Sequence, residues 1–120
     1  MDNKADILLE PPEEHLLPLV SGVNFIRQSF FRKNQFGEVS YDLFVDKPTL
    51  YQNYDLLFIF PVGFRPFRAS RTIASVYDAT VTIFSGVEIS TNGEARIIME
   101  PSAQNRFRYA FAGEQGFLSV

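Results

Sequence analysis

A chain of 120 residues, 46% apolar and 21% charged, is of single-domain size and can bury a core, which excludes disorder over most of its length. It has no cysteine, so disulfides, thiolate metal sites and a cysteine nucleophile are excluded. Its formal charge of −3 is the wrong sign for a general nucleic-acid binder, and its longest apolar run, residues 56–60, is far short of the roughly 20 residues of a membrane-spanning helix.

The chain opens Met1-Asp2-Asn3-Lys4-Ala5-Asp6, acidic where an export signal would be basic, so no such signal is read. Two leucine patches follow, Ile7-Leu8-Leu9 and Leu16-Leu17, separated by Pro11-Pro12-Glu13-Glu14 and closed by Pro18. Proline at that density prevents a long helix. Residues 1–21 are therefore expected to form an extended arm whose Leu8, Leu9, Leu16 and Leu17 dock on the domain or on a neighbouring subunit. Residues 22–120 are expected to form one β-domain.

From Gly22 the apolar residues recur every second position, and no amphipathic helix is readable. In Val39-Ser40-Tyr41-Asp42-Leu43-Phe44-Val45-Asp46 the odd positions are apolar, so Val39, Tyr41, Leu43 and Val45 are predicted to face the core. Leu56-Leu57-Phe58-Ile59-Phe60 reads as a strand buried on both faces, hence a central one. Further strands are predicted over 72–76, 79–84, 87–90, 95–99 and 107–111, and residues 116–120 are apolar enough to be tucked into a sheet. Asn92-Gly93 predicts a hairpin with a type I′ turn, in which both central residues take positive φ. The short, turn-punctuated strands, and a composition of 13 Phe and 5 Tyr, predict an all-β fold, an antiparallel β-sandwich or jelly-roll-like architecture.

Catalytic chemistry finds little support. His15 is the only histidine and sits among prolines and acids, so it reads as a solvated or capping residue rather than part of a relay. Asp42 and Asp46 share a strand face but lie roughly 13 Å apart, too far for paired-carboxylate hydrolysis. There is no metal-ligand spacing and no glycine-rich phosphate loop, so neither a metal nor a cofactor is expected, and the chain reads as non-enzymatic. Two surfaces stand out. Tyr51, Tyr54, Phe64, Arg65, Phe67, Arg68 and Arg71 form a candidate binding surface of stacking and hydrogen-bonding groups, with Asn53 and Asp55 beside them. Phe44, Phe84 and Ile98 lie out of phase with their strands' core positions and are candidate assembly contacts; bulges, the arm or other copies of the chain would account for them.

The segment Pro61-x-Gly63-Phe64-Arg65-Pro66, then a strand, then the hairpin around Asn92-Gly93, resembles the C-terminal β-domains of phage tail, baseplate and receptor-binding proteins, over roughly the second half of the chain. The receptor-binding proteins of lactococcal phages are the nearest functional analogy. The resemblance implies a β-sandwich, often trimeric, in the virion tail or baseplate and made in the host bacterial cytoplasm. Its partners would be other virion proteins, and the alternative role is that of an adhesin module for host cell-wall saccharide.

Overall fold

The computed structural model describes residues 12–120, so Leu8 and Leu9 lie outside the described residues. The described chain is all-β and antiparallel, as predicted, with nine strands: β1 Glu14–Leu16, β2 Asn24–Phe25, β3 Phe30–Lys33, β4 Glu38–Asp46, β5 Leu56–Ile59, β6 Ser70–Tyr77, β7 Thr82–Ile89, β8 Glu94–Ile98 and β9 Tyr109–Leu118. They form one strongly curled sheet in the order β1-β3-β4-β9-β6-β7-β8-β5, and β2 pairs with the end of β4. Alternation explains the burial. Val39, Tyr41, Leu43 and Val45 of β4 all enter the core, where they join Leu57, Phe58, Phe60, Ala74, Val76, Val87, Ile89, Ala95 and Ile97.

Curling brings the two ends of the strand order together. Beyond β1 the chain runs along β5: the Ile59 amide donates to Pro18 O (3.3 Å), the Val20 amide donates to Leu57 O (3.1 Å), and Leu19 bridges Phe58. This corrects the expectation of a central β5. It stands last in the sheet, paired only with β8, with residues 18–20 along its other edge; Leu57 and Phe58 are buried, but Ile59 is exposed, so the strand is not buried on both faces throughout. Leu17 is a core residue, whereas Leu16 is half exposed opposite Phe30 on the outer face. His15 is neither solvated nor a cap. It faces inward opposite Phe31, with its ring 5.3 Å from that of Phe31 and 5.5 Å from that of Phe64.

Three further local readings change. Residues 79–84 and 87–90 are not two strands: β7 runs unbroken through Gly86, and Ala79–Thr80 belong to a turn in which Asp78 Oδ1 accepts from the amides of Thr80 (2.8 Å) and Val81 (2.9 Å). β9 is twice the predicted length. It contains a bulge at Ala112 and Gly113 (φ +69°), which moves the inward face from Ala110 and Ala112 to Gln115 and Phe117 and hides the strand's period. The β7–β8 hairpin forms as predicted, but its turn is not type I′. Only Gly93 has positive φ (+87°); its amide donates to Ser90 O (2.9 Å), the Ser90 amide donates to Glu94 O (3.0 Å), and Asn92 Oδ1 accepts from the Glu94 amide. That is a type I turn followed by a left-handed glycine, and Asn34-Gln35-Phe36-Gly37 repeats it between β3 and β4.

Gly93 is required twice over, by its φ and because a Cβ there would lie 2.5 Å from Phe60 O and 3.0 Å from Arg65 Nε. Gly93→Ala is therefore expected to lower unfolding free energy by about 3 kcal/mol or more, whereas Gly22→Ala, equally left-handed but with open space around it, should cost about 1 kcal/mol. Urea midpoints of the two variants compare them directly.

Candidate functional site

The strands run lengthwise, so the connections collect at two ends. One end gathers the 34–37 and 90–93 turns, the 61–69 loop and the end of β9: the Ser119 amide donates to Gly37 O, the Phe67 amide to Leu118 O and the Phe60 amide to Gly93 O (each 2.9 Å). The other end gathers residues 47–55, the Asp78 turn and residues 99–108: the Tyr51 amide donates to Phe107 O, the Asn105 amide to Tyr51 O (each 2.8 Å) and the Lys47 amide to Arg108 O (3.1 Å).

This geometry divides the candidate binding surface. Tyr54 is at the second end, while Phe64, Arg65, Phe67, Arg68 and Arg71 are at the first, with β5 running between the two groups. Tyr51 is fully buried and belongs to the core, so it is no part of a surface. Phe64 packs on Phe31 and His15, and the Arg65 guanidinium donates to Phe60 O (3.0 Å), so both serve as local structure. Arg71 pairs with Glu88 (2.6 Å) on the outer face of β6 and β7, and Arg68 lies over the ring of exposed Phe67 (5.9 Å). Asn53 accepts from the Met99 amide (2.9 Å), a structural tie.

The second end contains a groove of about 620 Å³ lined by Lys47, Pro48, Thr49, Leu50, Gln52, Asp55 and Asn105. Lys47 Nζ donates to Asp55 Oδ2 (2.6 Å), which also accepts from the Gln52 amide (2.8 Å), and Gln52 Nε2 donates to Asn105 Oδ1 (3.3 Å). Two non-glycine residues here hold left-handed backbone, Tyr54 (φ +67°) and Asn105 (φ +60°). For a tyrosine this conformation is strained by about 1 kcal/mol. It is held by the Tyr54 amide donating to Ile97 O (2.7 Å) and by Arg96 Nη1 donating to Tyr54 O (2.9 Å), and the ring projects half exposed.

Beside the groove, an aromatic row crosses the outer face. Tyr77 and Tyr109 stack at 5.0 Å with 30° between planes, and Arg108 lies 5.1 Å from the Tyr109 ring while donating through Nε and Nη2 to both oxygens of Asp46 (2.7 and 2.8 Å). Burial and the neighbouring Tyr109 and Asp46 hold the Tyr77 phenol above its usual range, so it is a neutral donor at physiological pH. Phe44 and Phe111 continue the row at 5.2 Å under Arg27, which forms a two-point pair with Asp42 (2.5 and 3.0 Å). Across β6 and β7 the same face exposes Ile73 (69%) and Phe84 (79%), with Ile98 half buried. No register shift turns Phe84 or Ile98 inward, and residues 12–20 do not cover them. Sequence reasoning missed Tyr77, Tyr109, Arg108, Lys47, Gln52 and Asn105. For Tyr77, Tyr109 and Arg108 the only signal was a tyrosine or arginine near a strand end, for Lys47, Gln52 and Asn105 a polar residue in a connection, and pairing between residues 62 positions apart is not readable locally.

Among solved structures, the fold is similar to the receptor-binding protein gp15 of Listeria phage PSA (TM-score 0.75, 14% identity, 99% of this chain and 72% of that one). It is also similar to the head domain of phage bIL170, described among the receptor-binding domains of lactococcal phages (TM-score 0.66, 17% identity, 90% of this chain and 100% of that one). No family model matches the chain, and no curated protein matches its sequence.

The Tyr51 hydroxyl is buried with no hydrogen-bond partner among the described residues, and burial with Asp46 and Asp55 nearby pushes its ionisation well upward. Removing an unpaired buried hydroxyl costs little. Tyr51→Phe is expected to leave stability unchanged or raise it by about 1 kcal/mol, and Tyr51→Ala to lower it by about 4 kcal/mol, as read from denaturation curves.

Proposed function

We propose that this chain is the receptor-binding domain of a bacteriophage tail, acting by attachment rather than catalysis. The observation that carries this reading is the fold, matched along nearly the whole chain by a phage receptor-binding protein and a phage head domain of otherwise dissimilar sequence. It sits in the tail or baseplate and joins other virion proteins through the end that carries the 34–37 turn and the 61–69 loop. The opposite end is then free to meet the host. There the groove and the Tyr77–Tyr109 row combine aromatic faces with closely set donors and acceptors, the chemistry that suits a cell-wall saccharide.

The reading is tested by sedimenting the labelled protein with host cell walls. Tyr54→Ala and Tyr109→Ala are each expected to weaken binding about tenfold or more with the fold intact, and Phe67→Ala at the other end to leave it unchanged. Equal losses in all three, or no wall binding by the unsubstituted chain, would sink it.

Exposed Ile73 and Phe84 support a second, compatible reading, in which copies of the chain pack through the outer face of β6 and β7 as a homotrimer. Light scattering after size exclusion should give three times the chain mass, and Phe84→Asp should give the monomer. A monomer before substitution would remove this reading and leave the first standing.

A further inference from the structure

The edge of β7 is open where β8 leaves it. The Asp78 amide donates to Val81 O (3.1 Å) and the Ser90 amide to Glu94 O (3.0 Å), and these two turns fix which residues of β7 bond which neighbour. Hydrogen bonding alternates along antiparallel strands, so Ile83 and Ser85 bond β6, while Gly86 and Glu88 bond β8 at Ile98 and Arg96. By the same alternation the amides and carbonyls of Thr82 and Phe84 point to the β8 side, past its last pair, and have no backbone partner among the described residues.

β8 does not continue along this edge. Its next amide, that of Met99, is taken by Asn53 Oδ1 (2.9 Å), Pro101 has no amide to give, and a single helical turn at Pro101–Ala103 carries the chain away. What remains is a groove of about 540 Å³ between residues 83–85 and residues 100–107, with Ile73, Phe84, Ile98, Ala103 and Phe107 among its apolar walls. Arg106 and Glu100 also line it, and neither pairs with an opposite charge among the described residues. An unpaired strand edge beside an apolar groove is the arrangement to which an extended peptide adds as a further strand. Charges of both signs on one wall suit a peptide that carries both a carboxylate and an ammonium group. The Asp78 turn and residues 99–108 belong to the far end, so the groove opens beside it.

We propose that Thr82 and Phe84 of β7 take up an extended peptide displayed at the host surface, added as a strand with its carboxylate on Arg106 and its ammonium group on Glu100. This is a second site, separate from the groove at residues 47–55; only the source of the peptide rests on the proposed attachment role. Packing of copies through the neighbouring face needs the side chains of Ile73 and Phe84, whereas the peptide needs the backbone of β7 and the charge of Arg106, so substitution separates the two.

The test is an NMR titration of the isotope-labelled full chain with acetyl-Val-Lys-Val-Ala and its analogues with Ile or Phe in place of Val. The amide signals of Thr82 and Phe84 are expected to shift together and saturate, while those of Gln52 and Tyr54 at the other groove stay. Amidating the peptide's C-terminus and Arg106→Gln should each weaken binding about fivefold, with no further loss when combined, and the light-scattering mass of the variant should be unchanged. Replacing the peptide's lysine by norleucine should be coupled to Glu100→Gln in the same way. No saturable shift at Thr82 and Phe84 with any of these peptides would overturn the proposal, and so would losses that simply multiply. Shifts at the same amides on dilution without peptide would overturn it too, since a second copy of the chain would then hold the edge.

Discussion

The fold depends on closure of a curled sheet by one short segment. Residues 14–20 pair with β3 through β1 and then cross to β5, so a single seven-residue stretch joins the first and last strands of the order. Without it β3 and β5 would both present open edges, and the rings beneath them would be reachable by water. Leu17 fills the seam, its burial contributing about 2 kcal/mol, and its amide donates to Ser29 O (2.8 Å). Pro18 suits the crossing point. It has no amide proton to leave unpaired, and its carbonyl accepts from Ile59, so the chain changes partner there without stranding a donor.

Closure also sets the division between the two ends. Once β1 is held against β3, with Glu14 opposite Arg32, its start lies toward the 34–37 turn, and the loops at 47–55 and 99–108 lie at the opposite end. The bulge at Ala112 and Gly113 serves the same geometry. Before it β9 runs with both β4 and β6; after it the strand stays with β4 alone, turning Phe117 onto Tyr41 and Phe60 (6.3 and 5.4 Å). One inserted residue thus lets a ten-residue strand serve both halves of the sheet.

What could be read from the sequence follows from how local the controlling physics is. β4 was legible because one face is wet and the other dry throughout, and the β7–β8 hairpin because Gly93 is a requirement of its own turn. β5 was misplaced because a continuous apolar run looks the same whether a strand or an irregular segment lies along its edge, and the exposure of Ile59 is not readable from it. The full length of β9 was hidden because its bulge interrupts the period. Tyr51 was misassigned because its neighbours Gln52 and Asn53 are polar, while its backbone is tied into the fold by Asn105 and Phe107, more than fifty positions away. The candidate binding surface divided for the same reason, since residues 51–55 and 64–71 are close in sequence but lie at opposite ends of β5.

The charge pattern at the far end favours one kind of ligand for the proposed attachment role. Asp46 is matched by Arg108 and Asp55 by Lys47, so these four side chains carry no net charge and attract neither a polyanion nor a polycation over distance. Each pair still has capacity to spare. Lys47 uses one ammonium proton on Asp55, and Arg108 uses Nε and Nη2 on Asp46, leaving Nη1. Donors and acceptors so oriented need little reordering to meet a hydroxyl-rich ring, and the stacked Tyr77 and Tyr109 supply a rigid apolar face beside them. The groove itself is shallow and polar, so any single contact is weak, and firm attachment to a cell would have to come from several copies engaging at once. The apolar outer face around Phe84 therefore bears on recognition as well as assembly: packing copies through it would set the spacing at which their far ends meet a wall.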